Sequence, residues 1–164
     1  MSSAKRPPVD SHEYYGIKIL RDGTWLYRGT PITRLNMVKL FASVLSRDEK
    51  GYWLTTPYEK GRIEVEDVPF TAVELKTDSG VLHFRTNLDE WVAADADHPI
   101  RIVHDSETQE PSPYILVRKG LEARIARPVY YELAELAVED TAEKGLFGVW
   151  SRNIFFPIGR HDRV

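Results

Sequence analysis

Two stretches of this chain carry the same pattern. Ile32, Arg34, Met37, Leu40, Phe41, Val44 and Leu45 precede Lys50 and Gly51; Ile125, Arg127, Tyr130, Leu133, Ala134, Ala137 and Val138 precede Lys144 and Gly145. The offset is 93 residues from Ile32 to Ile125 and 94 from Lys50 to Lys144. Such an echo predicts a strand, helix, strand unit used twice, and so a fold of two related halves. Small ligands bind preferentially in clefts between domains, which makes the interface of the halves the expected place for function.

The pattern between and around the copies is rich in short strands. Ile17 to Leu20 and Thr24 to Arg28 flank Asp22 and Gly23, and Asp-Gly supplies the positive φ of a tight hairpin turn. Thr33 or Asn36 is placed to cap the first helix. Its stripe, Met37, Leu40, Phe41, Val44 and Leu45, follows the spacing of one buried helical face. Tyr52 to Thr55, Arg62 to Val65, Thr71 to Thr77, Val81 to Thr86 and Ile100 to His104 read as strands. In the run from Val81, Leu82, Phe84 and Thr86 alternate with His83 and Arg85, as one buried strand face requires. Asp105 to Pro113 reads as a surface loop, and Tyr114 to Arg118 and Leu121 to Ala126 as a second hairpin turning at Lys119 and Gly120. Arg127 and Pro128 open the second helix, whose stripe is Tyr130, Leu133, Ala134, Ala137 and Val138. Gly145 to Ser151 and Ile154 to Pro157 are the closing strands. The expected class is α+β, each half a small antiparallel sheet or partial barrel with one main helix. The expected divisions are a flexible lead-in over 1–13, a first repeat over 14–78 and a second over 79–164.

Composition narrows the function. Lys and Arg number 22 against 25 Asp and Glu, a net charge of −3, which argues against nucleic acid as a partner. Cysteine is absent, so there is no disulfide framework, thiolate zinc site or thiol nucleophile. No stretch approaches the apolar length of a membrane span, and Met1 to Asp10 has no apolar run of the signal-peptide kind. The expected compartment is the cytoplasm. No phosphate loop, dinucleotide fingerprint or nucleophile elbow is present, and the histidines at 12, 83, 98, 104 and 161 show no i, i+4 pairing. Neither a cofactor nor a metal is expected, although Asp95, Asp97 and His98 superficially look like ligands.

The densest basic cluster is Arg118, Lys119, Arg124 and Arg127, straddling a hairpin and a helix start. Guanidinium groups near a helix N-terminus suit an anion such as phosphate, because unpaired amides and the helix dipole add to the fixed charge. On a strand Glu122 and Arg124 share the outward face, and the competing reading pairs these arginines with Glu122 and Glu132 on a solvated surface. Trp150 and Tyr131 are candidates to pack on a flat ligand, and core packing is the competing role for the closing aromatics. Glu64, Glu66 and Asp67 form an acidic run that reads either as a solvated strand face or as acid and base groups.

The strings 34–45, 59–70, 117–124, 148–151 and 155–159 resemble a proteobacterial domain family of unknown function. That resemblance implies a duplicated α+β architecture with a C-terminal half like a pleckstrin-homology barrel, and a role in signal transduction with a nucleotide-like ligand at the interface of the halves. Its motifs fall on Glu59, Lys60, Glu66, Asp67 and Phe70, on Thr86 and Asn87, on Arg118, Gly120, Leu121, Glu122, Arg124 and Arg127, and on Trp150, Ser151, Phe155 and Pro157. Arg152, Asn153 and Ile154 depart from the glycine-rich turn of the family pattern. The resulting expectation is a cytosolic regulatory module binding a phosphate-bearing small molecule through Lys60, Glu66, Arg118, Glu122, Arg124, Arg127, Tyr131 and Trp150. Its output would pass to a protein partner. The alternatives are a protein-interaction module without a small ligand and, behind it, an enzyme using Glu66 and Asp67.

Overall fold

The computed structural model describes residues 14–160, so the lead-in expected over 1–13 and His161 lie outside the described residues. The chain divides into two compact units, 1–69 and 70–164. The division expected after 78 falls nine residues later, at the end of the strand Phe70–Asp78 that opens the second unit.

The first unit is one six-stranded sheet with a helix. Strands β1 (Tyr14–Ile19), β2 (Trp25–Tyr27) and β3 (Thr30–Pro31) form one antiparallel meander. Helix α1 (Leu35–Ser43) leads to a second, β4 (Leu45–Asp48), β5 (Gly51–Thr55) and β6 (Lys60–Val65). The meanders join edge to edge where β1 runs parallel to β6, giving the order β3-β2-β1-β6-β5-β4. The Asp-Gly turn behaves as expected: Gly23 sits at φ 96°, and the Asp22 carboxylate accepts the Thr24 N–H at 2.9 Å.

The second unit repeats this plan. Its first meander is β7 (Phe70–Asp78), β8 (Val81–Thr86) and β9 (Trp91–Ala93); its second is β10 (Ile100–His104), β11 (Pro111–Arg118) and β12 (Leu121–Ile125). Here β12 runs parallel to β7, and the order is β10-β11-β12-β7-β8-β9. First and last strands pair in both units, so the halves are related at the level of the sheet. After β12 come helix α2 (Arg127–Glu135) and a separate three-stranded antiparallel sheet, β13 (Val138–Glu139), β14 (Leu146–Ser151) and β15 (Ile154–Arg160). Phe70, Phe84, Ile115, Leu121, Ile125, Leu133 and Val149 are buried in the core.

The molecule is therefore mostly β with two short helices rather than evenly α+β. The echo that suggested duplication matches helices in different topological places: α1 links two meanders of one sheet, whereas α2 follows a finished sheet. What the copies share is local, a helix followed by an antiparallel meander, β4 to β6 in one case and β13 to β15 in the other.

Both predicted helix stripes are also rotated. In α1 the buried residues are Val38 and Ala42, while Leu40 is 65% exposed and Met37 42%. In α2 they are Val129 and Leu133, and Val138 belongs to β13. Leu35 to Ser43 is apolar on several sides, so two stripes were available, and packing took the one with smaller side chains. Neither Thr33 nor Asn36 caps α1; Arg34 is its N-cap and makes no side-chain hydrogen bond. The expected loop ends at Glu110, because Pro111 and Pro113 belong to β11. A residue without an N–H argues against a strand in sequence, yet both prolines pair here, with His104 and Ile102 of β10.

Polar contacts tie the third sheet to the second unit's main sheet. Buried Ser151 accepts the Leu82 N–H at 2.9 Å and donates to the Ala94 carbonyl at 2.7 Å. Asp95 accepts the backbone N–H groups of Asp97 and His98, at 3.0 and 2.9 Å, and lies 2.9 Å from His98 Nδ1. It also accepts Arg152 Nη1 at 2.8 Å. Asp95, Asp97 and His98 thus form a closed turn, and among the described residues no group of three metal-ligating side chains is positioned for an ion. No helix among them is long and apolar enough to cross a membrane.

Replacing Ser151 with Ala strands the Leu82 donor and the Ala94 acceptor in a dry place, so urea denaturation should show a loss of about 1–3 kcal/mol. Burial works to raise the Asp95 carboxyl, but the hydrogen bonds and charge of His98 and the Asp97 amide outweigh it and hold the carboxyl below its ordinary 3.8. A depressed carboxyl stabilises the fold fully above its unfolded value, and that contribution is lost as pH falls through the folded value. Asp95→Asn should therefore be less stable than wild type at pH 7, with the gap closing on acidification below the ordinary carboxyl range.

Candidate functional site

The candidate site is built where β12 hands over to α2. Leu121, Ala123 and Ile125 face inward, so Glu122 and Arg124 take the outer face, as the alternation predicted. Ala126 then donates its N–H to the Ala72 carbonyl at 3.0 Å and serves as N-cap without a side-chain cap. Arg127, Tyr130 and Tyr131, spaced i, i+3 and i+4, fall on one side of α2. Together with Arg124, Ile125, Pro111, Pro113 and Glu110 they line a cleft of about 440 Å³. Arg124 donates to the Tyr114 hydroxyl at 3.4 Å, and Arg127 donates to the Glu110 carboxylate at 3.5 Å.

Glu110 is delivered by a tight turn. Asp105 accepts the Glu107 and Thr108 N–H groups at 2.8 and 2.9 Å, and those backbone donors hold its carboxyl below the usual range. The Gln109 N–H closes on the Asp105 carbonyl at 2.9 Å, with Gln109 at φ 63°. Tyr130 borders a second cleft of about 520 Å³, lined also by Ile102, His104, Gln109, Leu146 and residues 157–160. Burial pushes the Tyr130 phenol above its usual value, so it remains a hydrogen-bond donor.

Of the residues predicted from sequence, the structure brings Arg124, Arg127 and Tyr131 together and disperses the rest. Arg118 pairs with Leu121 across the hairpin while Arg124 pairs with Tyr114, which separates the two arginines by four residues along β11, about 13 Å. Arg118 instead meets Glu90 at 3.3 Å, its guanidinium 5.3 Å from the centre of the Phe70 ring. Glu122 receives two hydrogen bonds from Arg101, at 3.0 and 2.9 Å. Trp150 is exposed and tilts against Phe155 with ring centres 5.3 Å apart, lining neither cleft. In the first unit Lys60 lies 3.8 Å from Asp48 and 4.4 Å from the Trp53 ring centre. There Glu66 accepts the Arg21 N–H at 2.8 Å and lies 3.7 Å from Lys18.

The residues that sequence reasoning missed are Glu110 and Tyr130. The helical spacing places Tyr130 on the buried stripe of α2, and Glu110 lies in the expected surface loop 105–113. The signal for both was proximity to Arg127, one along the helix and the other across the cleft, and only the first can be read from spacing.

Comparison with known families places this geometry. A model described as the DUF1285 N-terminal domain of unknown function matches residues 6–68, and one described as the DUF1285 C-terminal domain matches residues 69–158. The chain belongs to the DUF1285 family. Its two family domains meet where the fold divides, one residue before Phe70. A crystal structure of a DUF1285 family protein from Silicibacter pomeroyi DSS-3 is 40% identical, covering 99% of this chain and 92% of that one, with a TM-score of 0.84. Another, from Shewanella baltica OS155, is 27% identical over 73% of this chain and 91% of its own, with a TM-score of 0.59. No curated protein matches the chain. DUF1285 membership establishes an uncharacterised family with two domains, as the sequence resemblance implied.

Proposed function

We propose that this DUF1285 protein is a regulatory or sensory module that binds a phosphate-bearing small molecule in the arginine cleft of its second unit. The observation that carries this reading is the convergence of Arg124, Arg127 and Tyr131 on one cavity. Two guanidinium groups offer planar, multiply donating surfaces that match phosphate oxygens better than point charges do. The N-cap of α2 has no side-chain partner for the first-turn amides, which favours an anion at the same place. Tyr131, 59% exposed, offers a ring for the flat part of a nucleotide-like ligand.

Glu110 gives the module a resting state. Its carboxylate sits on Arg127 where the phosphate of a ligand would sit, and an ion pair this exposed is worth about 0–1 kcal/mol. A dianionic phosphate displaces it at small cost and frees the Glu110 side chain at the end of the turn that begins at Asp105. The cytoplasmic signalling role and the pleckstrin-homology-like character of the second unit belong to the same proposal, with α2 packed against β7 in its favour. A protein partner would read the change in the turn.

Thermal unfolding with a panel of phosphate compounds tests the site. A compound that binds there should add about 2.7 kcal/mol at 100 times its Kd. Arg127→Ala should abolish the shift, and Glu110→Gln should lower the Kd a few-fold by removing the competing carboxylate. A panel without any stabilising phosphate compound would sink the reading.

The second reading, a protein-interaction module without a ligand, is favoured by one feature of the first unit: Leu35, Met37 and Leu40 on α1 are 43%, 42% and 65% exposed. It expects a partner that is lost on Leu40→Glu and retained by Arg127→Ala. The opposite pattern rejects it.

A further inference from the structure

The arginine cleft and the second cleft are adjoining parts of one surface that share Tyr130. Across the β10–β11 ladder, Ile102 stands opposite Pro113 and His104 opposite Pro111. The first residue of each pair lines the second cleft and the other lines the arginine cleft, so the two adjoin at the spacing of neighbouring strands, about 4.8 Å. Gln109 and Glu110 are consecutive, and each contributes to a different cleft. Tyr130 borders both.

The two clefts differ in chemistry. The arginine end holds Arg124 and Arg127 with a single carboxylate, Glu110. The far end offers Ile102, Leu146, Pro157 and Ile158, and none of its lining residues is acidic. Its cation, Arg160, is paired with Glu143. An anion held at the arginine end therefore meets no repulsion beyond Tyr130, and an apolar body attached to it finds apolar walls. Flat surfaces from the Tyr130 and proline rings suit an aromatic body better than a branched one.

Building on the phosphate-binding reading above, we infer that the ligand is an aryl phosphate monoester: its phosphate sits between Arg124 and Arg127 and its ring crosses Tyr130 to lie against Ile102, Leu146 and Pro157. Head and body then occupy separate subsites, and affinity for the body is independent of the arginines that hold the head.

Isothermal titration of the full chain with inorganic phosphate, glycerol 2-phosphate and phenyl phosphate tests this. Phenyl phosphate should bind on the order of tenfold more tightly than glycerol 2-phosphate, from apolar area removed from water. Ile102→Thr, which keeps the β-branched shape, should erase that advantage and leave the Kd of inorganic phosphate unchanged; Pro157→Ser at an exposed position should do the same in part. Arg127→Ala should weaken all three. Equal affinity for the phenyl and glycerol compounds, or an advantage that survives both substitutions, overturns the second subsite while leaving phosphate binding intact. No binding by any of the three, wild type and Arg127→Ala alike, overturns both readings together.

Discussion

Phe70, Thr71 and Ala72 of β7 run parallel to Ala123, Arg124 and Ile125 of β12, and the rest of the second unit depends on that ladder. Parallel neighbours cannot be joined by a tight turn, so the chain must travel through β8 to β11 before closing the pair. Once closed, it is buried: Phe70, Ala72 and Ala123 are inaccessible and Ile125 is 1% exposed. The next backbone bond, from Ala126 to Ala72, delivers the chain directly into α2. Arg124 and Arg127 are neighbours in space because one ends the ladder and the other begins the helix. The first unit uses the same closure, with Lys18 and Ile19 beside Glu64 and Val65.

Charge follows from this frame. Arginines carried along the sheet meet carboxylates from other parts of it: Arg85 meets Glu74 on the neighbouring strand, Arg101 on β10 reaches past β11 to Glu122 on β12, and Arg118 meets Glu90 before β9. These pairs sit on surfaces where screening limits their worth, and their effect is mainly to fix side-chain direction. At the start of α2 the arrangement changes. Arg127 projects beyond the sheet, and its carboxylate partner comes from a turn held by backbone hydrogen bonds to Asp105. Arg127 and Glu110 are also more exposed than those pairs, at 71% and 64%.

Much of the strand pattern was legible before any tertiary information. The Leu82, Phe84 and Thr86 alternation, the Asp-Gly hairpin and the Lys119-Gly120 turn depend on local geometry, and each appears where its residues predicted. The helix faces were not legible, because α1 is apolar on more than one side and only the sheet beneath decides between Val38 with Ala42 and Met37 with Leu40. The site was half legible. Arg118, Arg124 and Arg127 belong to one basic cluster in sequence; Arg124 and Arg127 line one cleft with Tyr131, whereas the extended strand carries Arg118 away. Glu110 and Ile102 had no local signal, since their part in the clefts comes from pairing between β10 and β11 and from the turn between them.

The sequence by itself determined the alternation, the turns, the helix positions and the family, because these depend on residues within a few positions of each other or on strings of residues in order. Tertiary structure alone decided that the repeated element is a six-stranded sheet closed by a parallel pair, since the same local echo of helix and meander occurs in two different topological settings. It also decided which cations share a cleft. Charges that are neighbours along a strand stand several ångströms apart for each residue between them, and only the meeting of β12, α2 and the Asp105 turn brings two arginines, two tyrosines and a carboxylate around one cavity.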